Sequence, residues 1–318
     1  MKEYTLQSGR RMPALGFGTL KLPEHLLETS ILEALRTGFR HIDTAPIYKN
    51  EPQVGAALNK ASTLYPREKL WITSKLWCDS HKPEAVLPAL QATLSNLQTD
   101  YLDLYLIQYP IALKPGVICP QKKEDFFSLE EVPLAATWKA MEECVRKGLV
   151  REIGVSNFST SKLSDLLTTA AIPPAVNQIE IHPYLQQKQQ ISFAQEHDII
   201  LTAFAPLGSE KTMMEMDPAT RPPILSKHPV IRTIAEKHNA TPAQVLLAWL
   251  LQQNLSAIPS SSSAVRIQEN FASESVTLTN QDMEDIATMH SNFRLFNLKP
   301  FTEYDSPYTL ENIWNGEL

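Results

Sequence analysis

The amino-acid sequence predicts an α/β chain in which eight parallel strands, each followed by a helix, close into a (β/α)8 barrel. Short apolar runs alternate with amphipathic helical stretches eight times along the 318 residues. The strand runs are nearly continuously apolar, as expected for a parallel sheet that is covered on both faces. The alternative, a doubly wound open sheet, would favour a G-x-G-x-x-G turn after a strand, and GFGTLK has only the first two glycines.

The predicted elements follow one another in a regular order. The strands are LGFGT (15–19), FRHIDTA (39–45), KLWITSKLW (69–77), YLDLYLIQ (101–108), LVREIGVSN (149–157), AVNQIEI (175–181), IILTAFAP (199–206) and LSAIPSS (255–261). Apolar residues at helical spacing predict helices over 26–38, 51–62, 83–97, 132–147, 161–169, 188–197, 230–238 and 242–253, and from 265 onward. Ahead of the first strand, TLQSGRRMPAL (5–15) is predicted to form a hairpin that plugs the barrel floor.

Two connections and the C-terminal tail are longer than the other segments between elements. Residues 111–131 follow the fourth strand, residues 209–228 follow the seventh, and the tail 292–318 has no strand–helix pattern. Long loops at the carboxyl face of a barrel usually shape an active site. We therefore expect one barrel domain over residues 1–318, with the tail packed at the active-site mouth.

Composition and charge exclude several classes of protein. The net charge of −6 argues against a general binder of nucleic acid or anionic membranes, because both need a basic surface. No run approaches about 18 apolar residues, so we expect no membrane span. Three widely spaced cysteines indicate neither a disulfide framework nor a zinc site. We expect a reduced, cytoplasmic protein that is a monomer and whose partner is a small molecule.

Polar and aromatic side chains at the carboxyl ends of the strands are the candidates for a site, because these ends surround the active site of a barrel. They are Thr19, Asp43, Tyr48, Lys75, Trp77, Gln108, Tyr109, Ser156, Asn157, Gln178, His182, Phe204, Ser260 and Ser261. A strand-end Asp or Asn is about as often a turn cap as a functional group. A lone strand Gln is more often a structural amide with its hydrogen bonds made, and we interpret His182 as structural.

Three of these residues together indicate proton transfer. Lys75 lies in an apolar strand, where a lysine must find a counter-charge or lose its proton, and Asp43 can supply that charge. Tyr48 follows Asp43 closely enough to return to the same mouth. A neighbouring ammonium stabilises a phenolate and lowers the pKa of the phenol, so Tyr48 is expected to become a usable proton donor near neutral pH.

Ordered motifs over nearly the whole chain resemble those of the aldo-keto reductases. They are FRHIDTAPIYKNE, ITSKLW, GVSNF, NQIEIHPYLQQ, AFAPLGS and IPSSSSAVRIQEN, and their order resembles the aldose-reductase-like branch. The resemblance implies a (β/α)8 TIM barrel that binds an extended nicotinamide dinucleotide. It implies that Tyr48 is the proton donor, that Lys75 lowers its pKa and that Asp43 orients Lys75.

The resemblance also implies a set of cofactor-binding residues. Ser156, Asn157 and Gln178 would bind the nicotinamide carboxamide, and Phe204 stands where the family stacks an aromatic ring, usually that of a tyrosine, on the nicotinamide. The remaining residues implied for the dinucleotide are Thr19, Leu207, Ser209, Ser260, Ser261, Arg266, Glu269 and Asn270.

The chain departs from the family pattern at the position of its usual histidine, where Gln108 stands. An amide NH2 can also donate a hydrogen bond to a carbonyl oxygen, but it has a different reach and carries no charge. We expect activity that is weaker or re-tuned, by about tenfold or more, since one positioned donor can be worth ~10²–10³ in rate.

A second departure places Ser260 where the family has a lysine that binds the 2′-phosphate of NADPH. Arg266 remains, and a guanidinium suits a phosphate, so we favour NADPH with reduced discrimination against NADH. Ser262 and Ser263 could equally be an ordinary helix cap. Leu20 and Tyr109 replace the family's tryptophans in the wall of the substrate pocket, whereas Trp77 is retained. Phe296 and Trp314 in the tail are further candidates for that wall.

The sequence therefore predicts a metal-independent enzyme that reduces an aldehyde or ketone with NADPH. One alternative is a catalytically weak dinucleotide-binding protein with a sensing or structural role, which Gln108 and Ser260 favour mildly. A reductase of activated C=C bonds ranks lower, because Gln108 lacks the acidic group that those relatives carry at this position.

Overall fold

Eight parallel strands form the centre of the molecule, in a computed structural model that describes residues 1–128 and 130–317. A hairpin of β1 (Glu3–Thr5) and β2 (Arg11–Pro13) precedes them. The strands of the large sheet are β3 (Gly16–Gly18), β4 (His41–Asp43), β5 (Trp71–Leu76), β6 (Leu102–Ile107), β7 (Val150–Ser156), β8 (Val176–Glu180), β9 (Ile200–Phe204) and β10 (Ser256–Ala257).

Helices follow the strands and cover the outside of the sheet. They are α1 (Glu24–Thr37), α2 (Glu51–Ala61), α3 (Pro83–Leu97), α4 (Leu134–Arg146), α5 (Thr160–Leu167), α6 (Lys188–Glu196), α7 (Glu210–Glu215), α8 (Pro229–Lys237), α9 (Pro242–Gln252), α10 (Ala264–Ala272), α11 (Asn280–Ala287) and α12 (Leu310–Trp314). The short helix α7 lies inside the long loop 209–228, where the sequence predicted none. Within the described residues, no helix is both long and apolar enough to span a bilayer.

The sheet closes into the predicted barrel. Each strand from β3 to β10 pairs in parallel with the next one in the chain. The last seam is short: Leu15 bridges Ala257, and the Gly18 amide donates to the Pro259 carbonyl at 3.0 Å. A Cβ on Gly18 would lie 2.9 Å from the Ile258 carbonyl oxygen, so this close approach requires glycine.

The hairpin covers the floor of the barrel, as predicted. Ser8, in the turn of the hairpin, donates a hydrogen bond to Glu152, and Arg10 also contacts Glu152 at 3.3 Å. The apolar cluster that fills the floor consists of Leu6, Met12, Trp71, Leu104, Leu106, Ala175 and Val176. Apolar burial thus closes the amino end of the barrel and leaves the carboxyl end for the loops.

At the carboxyl end, a second apolar cluster joins β5, the loop after β6 and the tail. Its buried members are Trp77, Cys78, Ile111, Leu113, Phe126, Leu298, Phe301, Tyr308, Ile313 and Trp314. Tyr308 fixes the tail to the loop, because its hydroxyl oxygen accepts from the Ala112 amide at 2.8 Å. The tail was expected to lack strand–helix pattern, and it contains α12, which is only five residues long. Leu129 of the loop lies outside the described residues.

Candidate active site

A buried ion pair lies at the carboxyl ends of β4 and β5. Lys75 Nζ donates to Asp43 Oδ1 at 2.7 Å and to the Thr44 carbonyl at 2.9 Å. Both charged residues are 1% exposed. Burial lowers the pKa of Lys75 from its usual value, and the carboxylate of Asp43 opposes that shift.

Tyr48 lies directly over this pair. It ends a short 3₁₀ turn after β4, and Lys75 Nζ is 5.1 Å from the centre of its ring. The surrounding protein raises the pKa of Tyr48 well above its usual value, first through burial and then through the charge of Asp43. The expected direction was therefore wrong: burial and the charge of Asp43 together outweigh the ammonium and raise the pKa of Tyr48. The phenol stays protonated, which suits a proton donor.

Buried amides continue this cluster across the barrel mouth. Gln178 Nε2 on β8 donates to Asp43 Oδ2 at 2.8 Å. Ser156 Oγ donates to the Gln178 carbonyl at 2.7 Å and accepts from Asn157 Nδ2 at 2.9 Å. On the other side, Thr19 Oγ1 donates to the Asp43 carbonyl at 2.9 Å. Together with Lys75, one hydrogen-bonded network thus joins six of the residues predicted for the site.

Gln108 belongs to the same mouth. Its backbone carbonyl accepts from Asn157 Nδ2 at 3.1 Å, and its side chain is 5% exposed. Gln108 Oε1 is buried and has no hydrogen-bond partner among the described residues. An amide whose buried oxygen has no protein partner fits a ligand-binding role better than a structural one.

Aromatic rings form one wall beside Tyr48. The ring of Tyr109 packs on Trp77 at 5.6 Å and on Phe301 at 5.7 Å, measured between centroids. Phe301 comes from the tail and was not among the predicted pocket residues. Leu20 is 42% exposed, and its role in opening the substrate pocket stays a prediction.

The two tail residues predicted for the pocket lie in different places. Phe296 meets Phe204 edge to face, with ring centroids 5.7 Å apart. Trp314 is buried in the apolar cluster, where its indole Nε1 donates to the Asn297 carbonyl at 2.9 Å. Phe296 therefore lies beside the aromatic residue predicted to stack on the nicotinamide.

Strand β9 leads into a loop with left-handed backbone. Ala205, Gly208 and Ser209 have φ of 48°, 76° and 45°. Such turns direct successive amide groups into a concave surface that suits an anion. This loop contains Leu207 and Ser209, which were predicted to line the pyrophosphate.

The residues predicted for the adenosine end lie just before α10 (Ser260 and Ser261) and within it (Arg266, Glu269 and Asn270). Ser260 and Arg266 are exposed, whereas Asn270 is buried. Ser261 Oγ accepts from the Ser263 amide at 3.1 Å, and Ser263 itself makes no side-chain cap of α10. The cap interpretation is thus wrong for the side chain of Ser263. Among the described residues, no hydrogen bond or ion pair links Glu269 or Arg266 to the Asp43 network.

These residues fit a nicotinamide dinucleotide. Asn157 Oδ1, like Gln108 Oε1, is buried without a hydrogen-bond partner among the described residues. It can accept from a carboxamide NH2 group. Ser156 and Gln178, on β7 and β8, lie beside it. The neighbouring strand β9 leads into the left-handed loop that was predicted to line the pyrophosphate.

Two buried carboxylates near the site escaped the sequence analysis. Glu51, at the start of α2, accepts from Ser74 at 2.7 Å, and its charge favours the ammonium of Lys75. Glu180, at the end of β8, accepts from the backbone amides of Leu295 and Phe296 at 2.7 and 2.9 Å. A glutamate inside the apolar run NQIEI was a signal comparable to that of Lys75. His182 is buried against Glu180 at 2.8 Å and belongs to this anchor of the tail.

Comparisons with known proteins identify the family and the fold. The model of the aldo/keto reductase family matches residues 14–290. An aldo/keto reductase of Synechocystis is 44% identical over 99% of this chain and 97% of its own length. The NAD(P)H-dependent D-xylose reductase I,II of Candida tropicalis is 40% identical over 97% and 95% of the two chains. The structure of the aldose reductase from Schistosoma japonicum superposes with a TM-score of 0.86, at 38% identity, over 94% of this chain and 96% of that one.

The matches cover both the barrel and the strand ends that carry the Asp43 network. Nicotinamide cofactors and carbonyl substrates are general to this family. The chain belongs to the aldo/keto reductase family and is an NAD(P)H-dependent oxidoreductase that acts on carbonyl groups.

Proposed function

We propose that the protein reduces an aldehyde or ketone to the alcohol with NADPH, and that Tyr48 supplies the proton. The observation that carries the proposal is the buried pair of Lys75 and Asp43 beneath the Tyr48 ring. Burying two charges costs desolvation free energy that apolar residues would not, so a buried pair here indicates a task that apolar residues cannot perform. Here they place a positive charge next to the half-buried ring of Tyr48.

The chain's own residues divide the work around the carbonyl. When bound, the nicotinamide supplies the hydride. Tyr48 gives its proton to the carbonyl oxygen as negative charge develops there. Lys75 stabilises the phenolate that remains, and Asp43 keeps Lys75 charged and in place. Gln108 donates an amide hydrogen to the same oxygen and orients it.

Ser156, Asn157 and Gln178 would hold the carboxamide, and Phe204 would pack on the ring. Leu207 and Ser209 would lie along the pyrophosphate. The exposed guanidinium of Arg266 supports a preference for NADPH, because it can pair with a 2′-phosphate. Ser260 adds no charge to that site, so we infer weaker discrimination against NADH. The protein is further proposed to act as a cytoplasmic, single-domain monomer.

Two observations favour a second candidate, a dinucleotide-binding protein with little turnover. Gln108 cannot carry the charge of a histidine, and burial holds the pKa of Tyr48 high. A weak hydrogen-bond donor beside a weak acid would slow carbonyl reduction. The intact trio of Asp43, Tyr48 and Lys75 argues against this candidate, because binding alone does not need it.

A cofactor-oxidation assay separates the two candidates. Aldehydes, ketones, sugars and steroids would be tested with NADPH and then with NADH, and cofactor binding would be measured separately by fluorescence. We expect turnover on at least one carbonyl class and tighter binding of NADPH than of NADH. Binding without turnover across the whole panel would refute the reductase proposal and support the second candidate.

A further inference from the structure

The side chain of Gln178 makes a contact that carboxamide binding does not explain. Its Nε2 donates to Asp43 Oδ2 at 2.8 Å, while Lys75 donates to Oδ1. Each oxygen of the carboxylate therefore has one side-chain donor. The contact crosses the barrel, since β8 and β4 are four strands apart in the eight-stranded sheet.

The geometry gives the two ends of the Gln178 amide different tasks. All three side chains are at most 2% exposed, so the hydrogen bonds form in a low-dielectric interior. Nε2 is used by Asp43, whereas Oε1 makes no hydrogen bond with the described residues. The amide can therefore hold Asp43 with its nitrogen while its oxygen faces the site of the carboxamide.

Asp43 in turn sets the surroundings of the proton donor. Two of the three ammonium hydrogens of Lys75 are directed to Asp43 and to the Thr44 carbonyl, which fixes Nζ beneath Tyr48. A donor on Asp43 Oδ2 draws negative charge away from Tyr48. Without it, the carboxylate would act more strongly on the phenol and could turn away from Lys75.

We propose that Gln178 is a positioning residue that acts through Asp43 and couples the carboxamide site to the proton donor Tyr48. The inference rests on the proposed function and goes beyond it, because it gives a cofactor-binding residue a role in proton transfer. Besides Asp43, the titratable groups in this cluster and those coupled to it remain unchanged in Gln178→Met. They are His41, Tyr48, Glu51, Lys75 and Tyr109.

The pH profile of kcat tests the coupling. Gln178→Met removes the donor to Asp43 and keeps the volume. Since Asp43 already raises the pKa of Tyr48, its charge should raise it further once the donor is lost. We expect the alkaline limb of kcat to move up by about one pH unit and kcat to fall about tenfold. Ser156→Ala is the matched control, because it removes a hydroxyl proposed to bind the carboxamide and leaves the hydrogen bond between the Gln178 side chain and Asp43 in place. It should change the KM for NADPH without moving the alkaline limb of kcat.

A binding measurement tests the same coupling without turnover. In Asp43→Asn, the Lys75 ammonium takes the amide oxygen, so an amide NH2 faces Gln178 Nε2 and the contact is lost. Asp43→Asn and Gln178→Met should each weaken NADP⁺ binding about tenfold. The double variant should bind no more weakly than the weaker single variant, because both changes break one contact.

The outcomes separate this inference from the proposed function. An unmoved alkaline limb in Gln178→Met, or additive losses of NADP⁺ affinity in the double variant, would overturn the coupling. Failure of the wild type to reduce any carbonyl would refute the proposed function, and the NADP⁺ cycle would still decide whether Gln178 acts through Asp43.

Discussion

The two ends of the barrel bury different kinds of side chain. At the floor, Met12 and its neighbours fill the space with apolar groups. At the mouth, the polar residues Asp43, Lys75 and Gln178 are buried to a similar degree. Apolar burial stabilises a fold by about 25 cal/mol per Å², whereas burying an ion pair is often less favourable than an apolar replacement. The floor is thus explained by stability, and the mouth only by chemistry.

The largest stability effect is expected from a cavity at the floor. Met12 is fully buried, so Met12→Ala should lower the free energy of unfolding by about 3 kcal/mol. Because the proposed catalytic network lies at the other end, kcat should stay within about twofold. Urea unfolding and steady-state assays check both values. Met214→Ala is the control, since that side chain is 61% exposed and should change neither. If kcat of Met12→Ala fell under conditions in which the variant is fully folded, the floor would also contribute to catalysis. That result would contradict the separation of stability at the floor from chemistry at the mouth.

Acid should act on the floor side of the barrel. Burial lowers the pKa of His41, at the amino end of β4, to about 4. Between pH 6.5 and 4 the unfolded chain binds a proton that the folded chain does not, so the free energy of unfolding falls as pH falls. This one histidine should account for about 2–3 kcal/mol of loss between pH 7 and pH 4.

The contribution of His41 can be isolated by substitution. His41→Gln keeps a polar group near Thr73, which His41 contacts at 3.0 Å, but does not titrate. The pH dependence of urea unfolding should be shallower in this variant than in the wild type. Equal slopes would show that His41 does not contribute. Burial also lowers the pKa of His81, to about 3. His81 therefore lowers the free energy of unfolding as pH falls in the variant as well as in the wild type, so only the difference in slope reports on His41.

At the mouth, Gln108 offers a gain of activity. Gln108→His should raise kcat on simple aldehydes by about tenfold, because a protonatable donor would face the carbonyl oxygen. The free energy of unfolding should change little, since the side-chain oxygen of Gln108 has no partner among the described residues. Unchanged or lower kcat would mean that glutamine is adapted to another substrate.

The smallest effect is expected at the exposed edge of the proposed cofactor site. Ser260→Lys adds a solvent-exposed charge, so it should tighten NADPH by about threefold and NADH less. The difference should shrink as ionic strength rises, because salt screens exposed charges. Titration of both cofactors at two salt concentrations checks this. Equal tightening of NADPH and NADH would contradict a 2′-phosphate site beside Ser260.

The sequence predicted the order of barrel strands and helices because that order is written in local periodicity. It also placed Asp43 and Lys75 at strand ends, and the barrel brings them to 2.7 Å. The contact of Gln178 with Asp43 could not be predicted, since the two residues are 135 positions apart and meet only across the closed barrel. The direction in which the pKa of Tyr48 shifts depends on the balance between burial and neighbouring charges. No sequence motif encodes that balance.

The tail shows a second limit of sequence reasoning. Phe296 was predicted near the pocket, but its anchor is a pair of backbone amides bound by Glu180, and backbone partners leave no pattern in the sequence. Phe301 packs against Tyr109 because of the path that the tail takes, and this path could not be predicted from the sequence. Residues in irregular segments were therefore harder to place than those on strands.

Tyr48→Phe tests the central claim most directly, in a single experiment that records NADPH binding and carbonyl turnover on the same protein. The account predicts that kcat falls by at least about 10²-fold, while the affinity for NADPH and the free energy of unfolding stay near those of the wild type. Turnover close to the wild-type rate would contradict the assignment of Tyr48 as the proton donor, and with it the explanation of the buried charges at the mouth.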